Sequence, residues 1–313
     1  MSRLSLNRSF HLPVACALGL LCASVAAAPA GPEFVSADVN RFYDVYDATG
    51  GHPTVAQLDD YLAHGTEALH EFAKLRNVTG QRIADSIAAH PETYTKARQC
   101  LAALPAVKVR LTAAFAKLAS LYPEAKFPPV AIVVGRGKPV GITSPSGVTM
   151  GLEALCAADF MDPNVEARFV HTIAHEYGHI QQTAALQALE PGNAEATVLR
   201  MSLMEGVGEF TAELISGGVA NYQHAAWTKG KEADIEAAFV RDEDKTDLSA
   251  WMYNGVGNAD HPGDLGYWVG YRIVKTYYDH ARDKHAALKE IFEMPDPKAF
   301  VAKSGWHPAA TKR

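Results

Sequence analysis

The chain has 313 residues, four cysteines and a formal net charge of −6. This length is enough for one large domain or two small ones. The acidic balance argues against nucleic acid or an anionic membrane as the main partner, and no stretch beyond the N-terminus is apolar enough to span a bilayer.

Residues 1–28 have the pattern of a cleavable secretory signal peptide. Arg3 and Arg8 precede a short apolar run that ends in small residues. We predict cleavage within residues 27–30, and hence a periplasmic or secreted protein. Loss of the segment would remove two arginines and no acidic residue, so the formal net charge would change from −6 to −8.

The four cysteines allow more than one interpretation. Cleavage leaves Cys100 and Cys156, and an oxidising compartment is compatible with a disulfide between them, with two buried thiols as an equal alternative. Without a C-x-x-C motif they do not indicate a separate metal site. Lipid attachment at Cys16 or Cys22 is less favoured than simple cleavage, because neither follows a good Leu-small-small sequence.

The mature N-terminal region, residues 29–122, is predicted to be helical. Over residues 34–121 apolar side chains recur every three to four positions, and Thr54 and Thr79 are reasonable helix N-caps. The composition then changes, since residues 123–147 hold five of the 17 prolines. We expect the remaining region, 123–313, to form one continuous domain with the helical region.

A small sheet is predicted inside this proline-rich stretch. Val130–Val134 has the pattern of a buried strand and Gly147–Leu152 that of a shorter one, with a loop or hairpin between them. Helical patterns then follow at about 164–189, 194–216, 264–281 and 284–293, with an acidic loop at 241–247. The predicted fold class is therefore mainly α, of the α+β type, with a small sheet directly before a histidine-containing helix.

That helix contains the motif H-E-x-x-H, formed by His175, Glu176 and His179. Residues four apart lie on one helix face, so the two imidazoles can bind one metal ion, with Glu176 beside it as a general base. Two nitrogen ligands, an open coordination position and an adjacent base are what a zinc (Zn²⁺) hydrolase requires. The alternative is an amphipathic helix with a partly buried histidine pair.

His171 extends the histidine stripe by one more turn. One ion cannot bind all three histidines, because eight residues of helix rise ~12 Å. The pair His171/His175 encloses no carboxylate, whereas His175/His179 encloses Glu176. We therefore interpret His171 as a packing residue or as one that supports a ligand.

A third ligand is usual for catalytic zinc, and Glu205 is the candidate. Gly206 and Gly208 each cost ~1 kcal/mol inside a helix relative to alanine, which indicates close contact with another helix. Glu209, one turn later, could orient a ligand histidine and is also the alternative third ligand. Glu205, Glu209 and Glu213 could instead form a solvated acidic stripe.

With the downstream acids, the motif resembles the gluzincin metallopeptidases. In that superfamily a Glu-x-x-x-Asp/Glu sequence follows H-E-x-x-H by about 20–30 residues. The resemblance implies that Glu205 is the third zinc ligand and that Glu209 supports a ligand histidine. It also implies that the strand before the metal helix, here Gly147–Leu152, is an exposed edge to which a peptide can add.

The chain further resembles a bacterial family of inferred zinc-dependent proteases. The shared features are an Asp-x-x-x-Phe helix (Asp38 to Phe42), H-E-Y-x-H, Glu-Gly-x-x-Glu and a C-terminal Gly-Tyr-x-x-Gly-Tyr (Gly266 to Tyr271). The resemblance spans most of the mature chain, although only the metal motif is highly specific. The family often has alanine in the segment that is Val207-Gly208 here, which leaves the ligand assignment intact.

Two tyrosines in the last motif are candidates for transition-state stabilisation. Peptide hydrolysis develops negative charge on the carbonyl oxygen, which a phenol or imidazole hydrogen bond stabilises. Tyr267 is the first candidate and Tyr271 the second, although both could be core residues. His261, in a loop, is a further candidate.

The sequence therefore predicts an exported zinc peptidase that acts on peptides or proteins. The alternatives are a non-catalytic or vestigial zinc-containing binding protein of the envelope, and hydrolysis of a non-peptide amide. Substrate preference and oligomeric state do not follow from the sequence.

Overall fold

The computed structural model describes residues 31–138, 140–144, 146–219, 222–255 and 257–309 and is mainly helical. The predicted signal peptide and both lipoprotein candidates lie outside the described residues. In chain order, the helices are α1 (Ala37–Ala48), α2 (Val55–Ala63), α3 (Glu67–Arg76), α4 (Gly80–Ala89), α5 (Pro91–Cys100), α6 (Leu104–Leu121), α7 (Leu152–Ala157), α8 (Val165–Gln181), α9 (Ala184–Gln187), α10 (Val198–Ser216), α11 (Tyr222–Trp227), α12 (Glu232–Asp242), α13 (Leu265–His280), α14 (Lys284–Glu293) and α15 (Pro297–Ser304). The strands are β1 (Phe34–Val35), β2 (Val130–Val133), β3 (Gly141–Ser144) and β4 (Gly147–Gly151). The predicted fold class is confirmed.

The N-terminal helices begin where the sequence indicates. The side chains of Thr54 and Thr79 accept hydrogen bonds from backbone N–H groups of the first turn, so both predicted N-caps are confirmed. The prediction of helix from residue 34 is wrong at its start, because Phe34 and Val35 form β1 and the helix begins at Ala37. Pairing with β2, a contact distant in sequence, decides the conformation there.

The four strands form one sheet in the order β1-β2-β4-β3. β1, β2 and β4 are parallel, and β3 pairs antiparallel with β4. The predicted strands at 130–134 and 147–152 are confirmed to within one residue, and the segment between them contributes the hairpin strand β3. The expectation that Gly147–Leu152 is an exposed edge is wrong, because β4 lies between β2 and β3 and is fully buried. The edge strand is β3.

Three helices, α8, α10 and α13, cross at glycines. A Cβ atom added to Gly208 of α10 would lie 2.7–2.8 Å from the His175 ring of α8. On the other side of α10, a Cβ at Gly206 would lie 2.2 Å from the backbone carbon of Gly270 in α13. The expectation that these glycines permit close helix contact is confirmed. Gly208 allows α8 to approach α10, and Gly206 allows α13 to approach it from the other side.

A disulfide joins Cys100 at the end of α5 to Cys156 in α7. Of the two alternatives left open by the sequence, the structure therefore has the disulfide. The bond fastens the N-terminal helices to the segment that follows β4, across a sequence separation of 56 residues. A covalent closure of this length restricts the unfolded chain and stabilises the fold.

The C-terminal half matches the predicted helices with two differences. The helix predicted at 164–189 ends at Gln181, because Gln182 is extended and Thr183 caps the short α9. Helices α11, α12 and α15 were not predicted. None of the described helices combines the length and apolar character that a membrane span needs.

Candidate metal centre

Two histidines of α8 point at the same place. Asn164 caps the N-terminus of α8, and the regular helix that follows brings His175 and His179 to one face. Their Nε2 atoms lie 3.0 Å apart, and the two rings meet edge to face. His175 is only 9% exposed, because α10 packs against this face of α8.

Glu205 of α10 completes a triangle of ligand atoms. Its Oε2 lies 3.3 Å from the Nε2 atom of each histidine. Zinc bonds of about 2.0–2.2 Å in tetrahedral geometry place ligand atoms about 3.3–3.6 Å apart, so the two Glu205 distances match and the 3.0 Å between the histidine nitrogens is slightly shorter. The three side chains therefore fit a zinc ion. Among the described residues, they form the group of histidines and acids whose ligand atoms lie close enough to one another to hold a metal ion.

The charges of the site are strongly coupled. Burial alone would lower the pKa of His175, but the Glu205 and Glu209 carboxylates raise it well above its ordinary value. Burial would raise the pKa of Glu205, yet the His179 and His175 imidazoles hold it below its ordinary range. The raised pKa values of the histidines and the lowered pKa of Glu205 both favour the charged forms of these partners.

Glu209 lies between two histidines of α8. Its Oε1 is 3.1 Å from His175 Nδ1, although the N–H of that ring does not point straight at the oxygen. Its Oε2 is 3.0 Å from His171 Nε2. The structure thus brings Glu209 beside the outer nitrogen of a candidate ligand, and it brings His171 beside Glu209.

His179 has a different partner. Its Nδ1 lies 3.0 Å from Oε1 of Gln182, and the Gln182 nitrogen donates to the Met204 carbonyl oxygen at 2.9 Å. Gln182 is 3% exposed, and it follows directly after the end of α8. This carboxamide leaves the Nε2 lone pair of His179 directed at the ligand triangle.

Glu176 lies beside the ligand triangle but is not part of it. Its Oε2 accepts a hydrogen bond from the hydroxyl of Thr143 at 2.7 Å. Thr143 belongs to β3, so the edge strand holds the candidate base. A cavity of about 790 Å³ contains Glu176, the three ligand residues and all of β3 in its lining.

The tyrosine candidates occupy different places. Tyr267 lines the cavity, with its ring 6.3 Å from the His175 ring and nearly parallel to it. The hydroxyl of Tyr271 donates to Glu213, and the residue lies outside the cavity lining. His261 is exposed in a loop and also lies outside it.

A third tyrosine, Tyr253, was not predicted. Its hydroxyl donates to Glu205 Oε1 at 3.1 Å, and its ring meets Tyr267 edge to face. Burial, followed by the charge of Glu205, raises the pKa of Tyr253 and of Tyr267 above the ordinary range, so both phenols remain donors at neutral pH. Tyr253 has a left-handed backbone (φ 56°), a feature that no sequence motif indicated.

Comparison with known proteins bears on the same part of the chain. Residues 157–299, a little under half of the sequence, match the family model described as "Predicted Zn-dependent protease (DUF2268)". The match includes the three ligand candidates, Glu176 and Glu209, and it leaves out the sheet. No curated protein and no solved structure matches the chain significantly.

Proposed function

We propose that the protein is an exported zinc-dependent peptidase with Glu176 as its general base. The observation that carries the proposal is the meeting, in one cavity, of three converging ligand atoms and a carboxylate that is not a ligand. A structural zinc site is usually closed by four protein ligands, whereas a catalytic one keeps a position open. The family match supports the same assignment.

Zinc held by His175, His179 and Glu205 would supply Lewis acidity, lowering the pKa of a coordinated water and polarising the substrate carbonyl. The Thr143 hydroxyl occupies Oε2 of Glu176 and leaves Oε1 to accept a proton. Glu176 takes that proton from the attacking water and passes it to the leaving amine. The Thr143 contact fixes the carboxylate for both transfers.

Tyr267 is the proposed donor to the carbonyl oxygen, because it lines the cavity as a neutral phenol, whereas the one hydroxyl hydrogen of Tyr253 is donated to Glu205. Removal of such a donor costs about 10²–10³ in kcat. We expect a loss of this size for Tyr267→Phe and little change for Tyr271→Phe. A larger loss in Tyr271→Phe than in Tyr267→Phe would contradict the assignment.

β3 is the proposed docking strand for the substrate backbone. It forms the sheet edge next to the metal centre, and among the described residues no further strand pairs with its outer side. An extended peptide can add to such an edge through main-chain hydrogen bonds. Peptides and proteins are therefore the proposed substrates.

Export is a separate part of the proposal. The basic, apolar and small-residue order of residues 1–28 supports it, as does the Cys100–Cys156 disulfide, since disulfides persist mainly in oxidising compartments. Mass spectrometry of the mature N-terminus should find cleavage within residues 27–30. A cytoplasmic protein that keeps Arg3 and Arg8 would contradict export but not the peptidase activity.

A peptide-library cleavage assay with measured zinc content tests the activity. The signal-free protein should cleave peptides, lose that activity to a chelator and regain it with zinc. Glu176→Gln should keep one zinc per chain and lose about 10²–10⁴-fold in turnover. Glu166→Gln is the matched control, since Glu166 lies in the first turn of the same helix and pairs with Arg110.

Two outcomes would contradict the proposal. Parent-like turnover in Glu176→Gln would remove the general base from the mechanism. Stoichiometric zinc without cleavage of any peptide would favour a non-catalytic zinc protein instead.

A further inference from the structure

His171 is the histidine of the α8 stripe for which the proposed reaction has no role. It lies one turn before His175, and its side chain is 16% exposed. Its Nε2 is 3.0 Å from Glu209 Oε2, which is a hydrogen-bond distance. His171 therefore contacts a carboxylate and does not only pack between the two helices.

The carboxylate of Glu209 joins His171 to the ligand triangle. Its other oxygen, Oε1, lies 3.1 Å from Nδ1 of His175, whose Nε2 is one corner of the triangle. Glu209 is 8% exposed, so this row of three side chains is nearly closed to solvent. The row runs from α8 to α10 and back, beside the close helix contact at Gly208.

A buried carboxylate is stable only when hydrogen-bond donors compensate its charge. If His175 binds zinc through Nε2, its Nδ1 carries the hydrogen that faces Glu209. That N–H does not point straight at Oε1, so the strength of the contact depends on where the carboxylate is held. His171, on the opposite oxygen, is placed to hold it.

The hydrogen of His171 can be assigned from its surroundings. Its Nδ1 is buried and has no hydrogen-bond partner among the described residues. A hydrogen on Nδ1 would find no acceptor in the part of the chain that the structure describes, whereas one on Nε2 can be donated to Glu209. The geometry favours the Nε2–H tautomer.

We propose that His171 is a positioning residue of the metal site, which donates Nε2–H to Glu209, fixes the carboxylate that orients His175 and so strengthens zinc binding. The proposal rests on the proposed function only in that His175 binds zinc. It does not require that the protein hydrolyse peptides.

Two substitutions at position 171 distinguish the effect of hydrogen-bond donation from the effect of side-chain shape. Glutamine at position 171 can donate from its own Nε2, whereas leucine fills the space without a donor. His171→Leu should lower zinc affinity about tenfold or more, and His171→Gln should stay within roughly threefold of the parent protein. Affinity is measured by competition with a chelator, and the visible spectrum of the cobalt-substituted protein should change in His171→Leu only.

Either of two results would overturn the proposal. Parent-like affinity and cobalt spectrum in His171→Leu would show that Glu209 does not need this donor. An equal loss in His171→Gln would show that the shape of the ring matters, not its hydrogen bond.

His285 provides the matched control. It pairs with Glu124 at 2.8 Å on the surface, with the same chemistry and no link to the cavity. His285→Leu should bind zinc as the parent does. A loss in this variant equal to that in His171→Leu would contradict a local role.

If His171→Leu does not fold, the parent protein still tests the proposal. Nitrogen-15 NMR of the zinc-loaded protein reports the tautomer of each histidine. Nε2–H at His171 supports the proposal, and Nδ1–H overturns it. Since neither zinc affinity nor tautomer depends on turnover, failure of the peptidase proposal would leave both readouts intact.

Discussion

His175 and His179 share one candidate metal position, but their outer ring nitrogens meet different partners. His175 Nδ1 faces the Glu209 carboxylate, which His171 contacts on its far side. His179 Nδ1 faces the neutral carboxamide of Gln182, which is anchored on the Met204 carbonyl. One histidine thus has a charged support and the other an uncharged one.

The difference between these two partners, one charged and one neutral, limits the negative charge buried around the site. Glu205 and Glu209 place two carboxylates in a buried region, and one Zn²⁺ ion would balance both. A third carboxylate at position 182 would leave a buried negative charge without compensation. Gln182 is therefore placed to orient the His179 ring without adding charge, whereas Glu209 would orient the His175 ring and also add negative charge that attracts a metal cation.

The largest expected effect comes from the charged support. Glu209→Gln keeps the shape and removes the charge, and we expect zinc affinity to fall about 10–100-fold. Gln182→Leu removes an uncharged support and should cost at most about tenfold. Chelator competition measures both affinities, and an equal or larger loss in Gln182→Leu would contradict the distinction between the two sides.

A smaller effect, on the stability of the fold, is expected from the close contact between α8 and α10 beside His175. A Cβ at Gly208 would overlap the His175 ring, so Gly208→Ala should lower the free energy of unfolding by about 1–3 kcal/mol despite the better helix propensity of alanine. Chemical denaturation of the zinc-free protein measures this change. A stabilised variant would show that the two helices can separate without cost.

The smallest expected effect is on the pH dependence of zinc binding. The raised pKa values of His175 and His179 mean that zinc-free protein keeps protons there above the ordinary value of about 6.5, and this stabilisation is lost as pH rises through the raised values. Zinc must displace those protons, so it should bind more tightly at higher pH.

Thermal unfolding with and without zinc measures this linkage. The increase in Tm caused by zinc should be about 2–5 °C larger near pH 8 than near pH 6. An increase that is larger at the lower pH would contradict the charge assignment of the two histidines.

The candidate ligand set could be proposed from the sequence because its signals are local. Helix spacing brings His175 and His179 to one face, and the costly glycines beside Glu205 indicate a close helix crossing. The structure brings these side chains together and places Glu209 Oε1 3.1 Å from His175 Nδ1. His171 could be restricted to two roles but not assigned, because its partner lies on another helix.

The rest of the site depends on contacts distant in sequence. Thr143 reaches Glu176 only because β3 pairs with β4, and the sequence left that segment as loop or hairpin. Tyr253 reaches Glu205 from an irregular turn with a left-handed backbone. Gln182 follows directly after the end of α8. The periodicity of the sequence predicted that this helix continues to about residue 189, and so it placed Gln182 inside the helix.

The most direct test of the metal centre is an anomalous diffraction map of zinc-loaded crystals, recorded at the zinc absorption edge. The structure predicts one peak bonded to His175 Nε2, His179 Nε2 and Glu205 Oε2 at about 2.0–2.2 Å, with a remaining position open to the cavity. A peak elsewhere, or one bonded to both histidines but not to Glu205, would contradict the ligand assignment on which the proposed function depends.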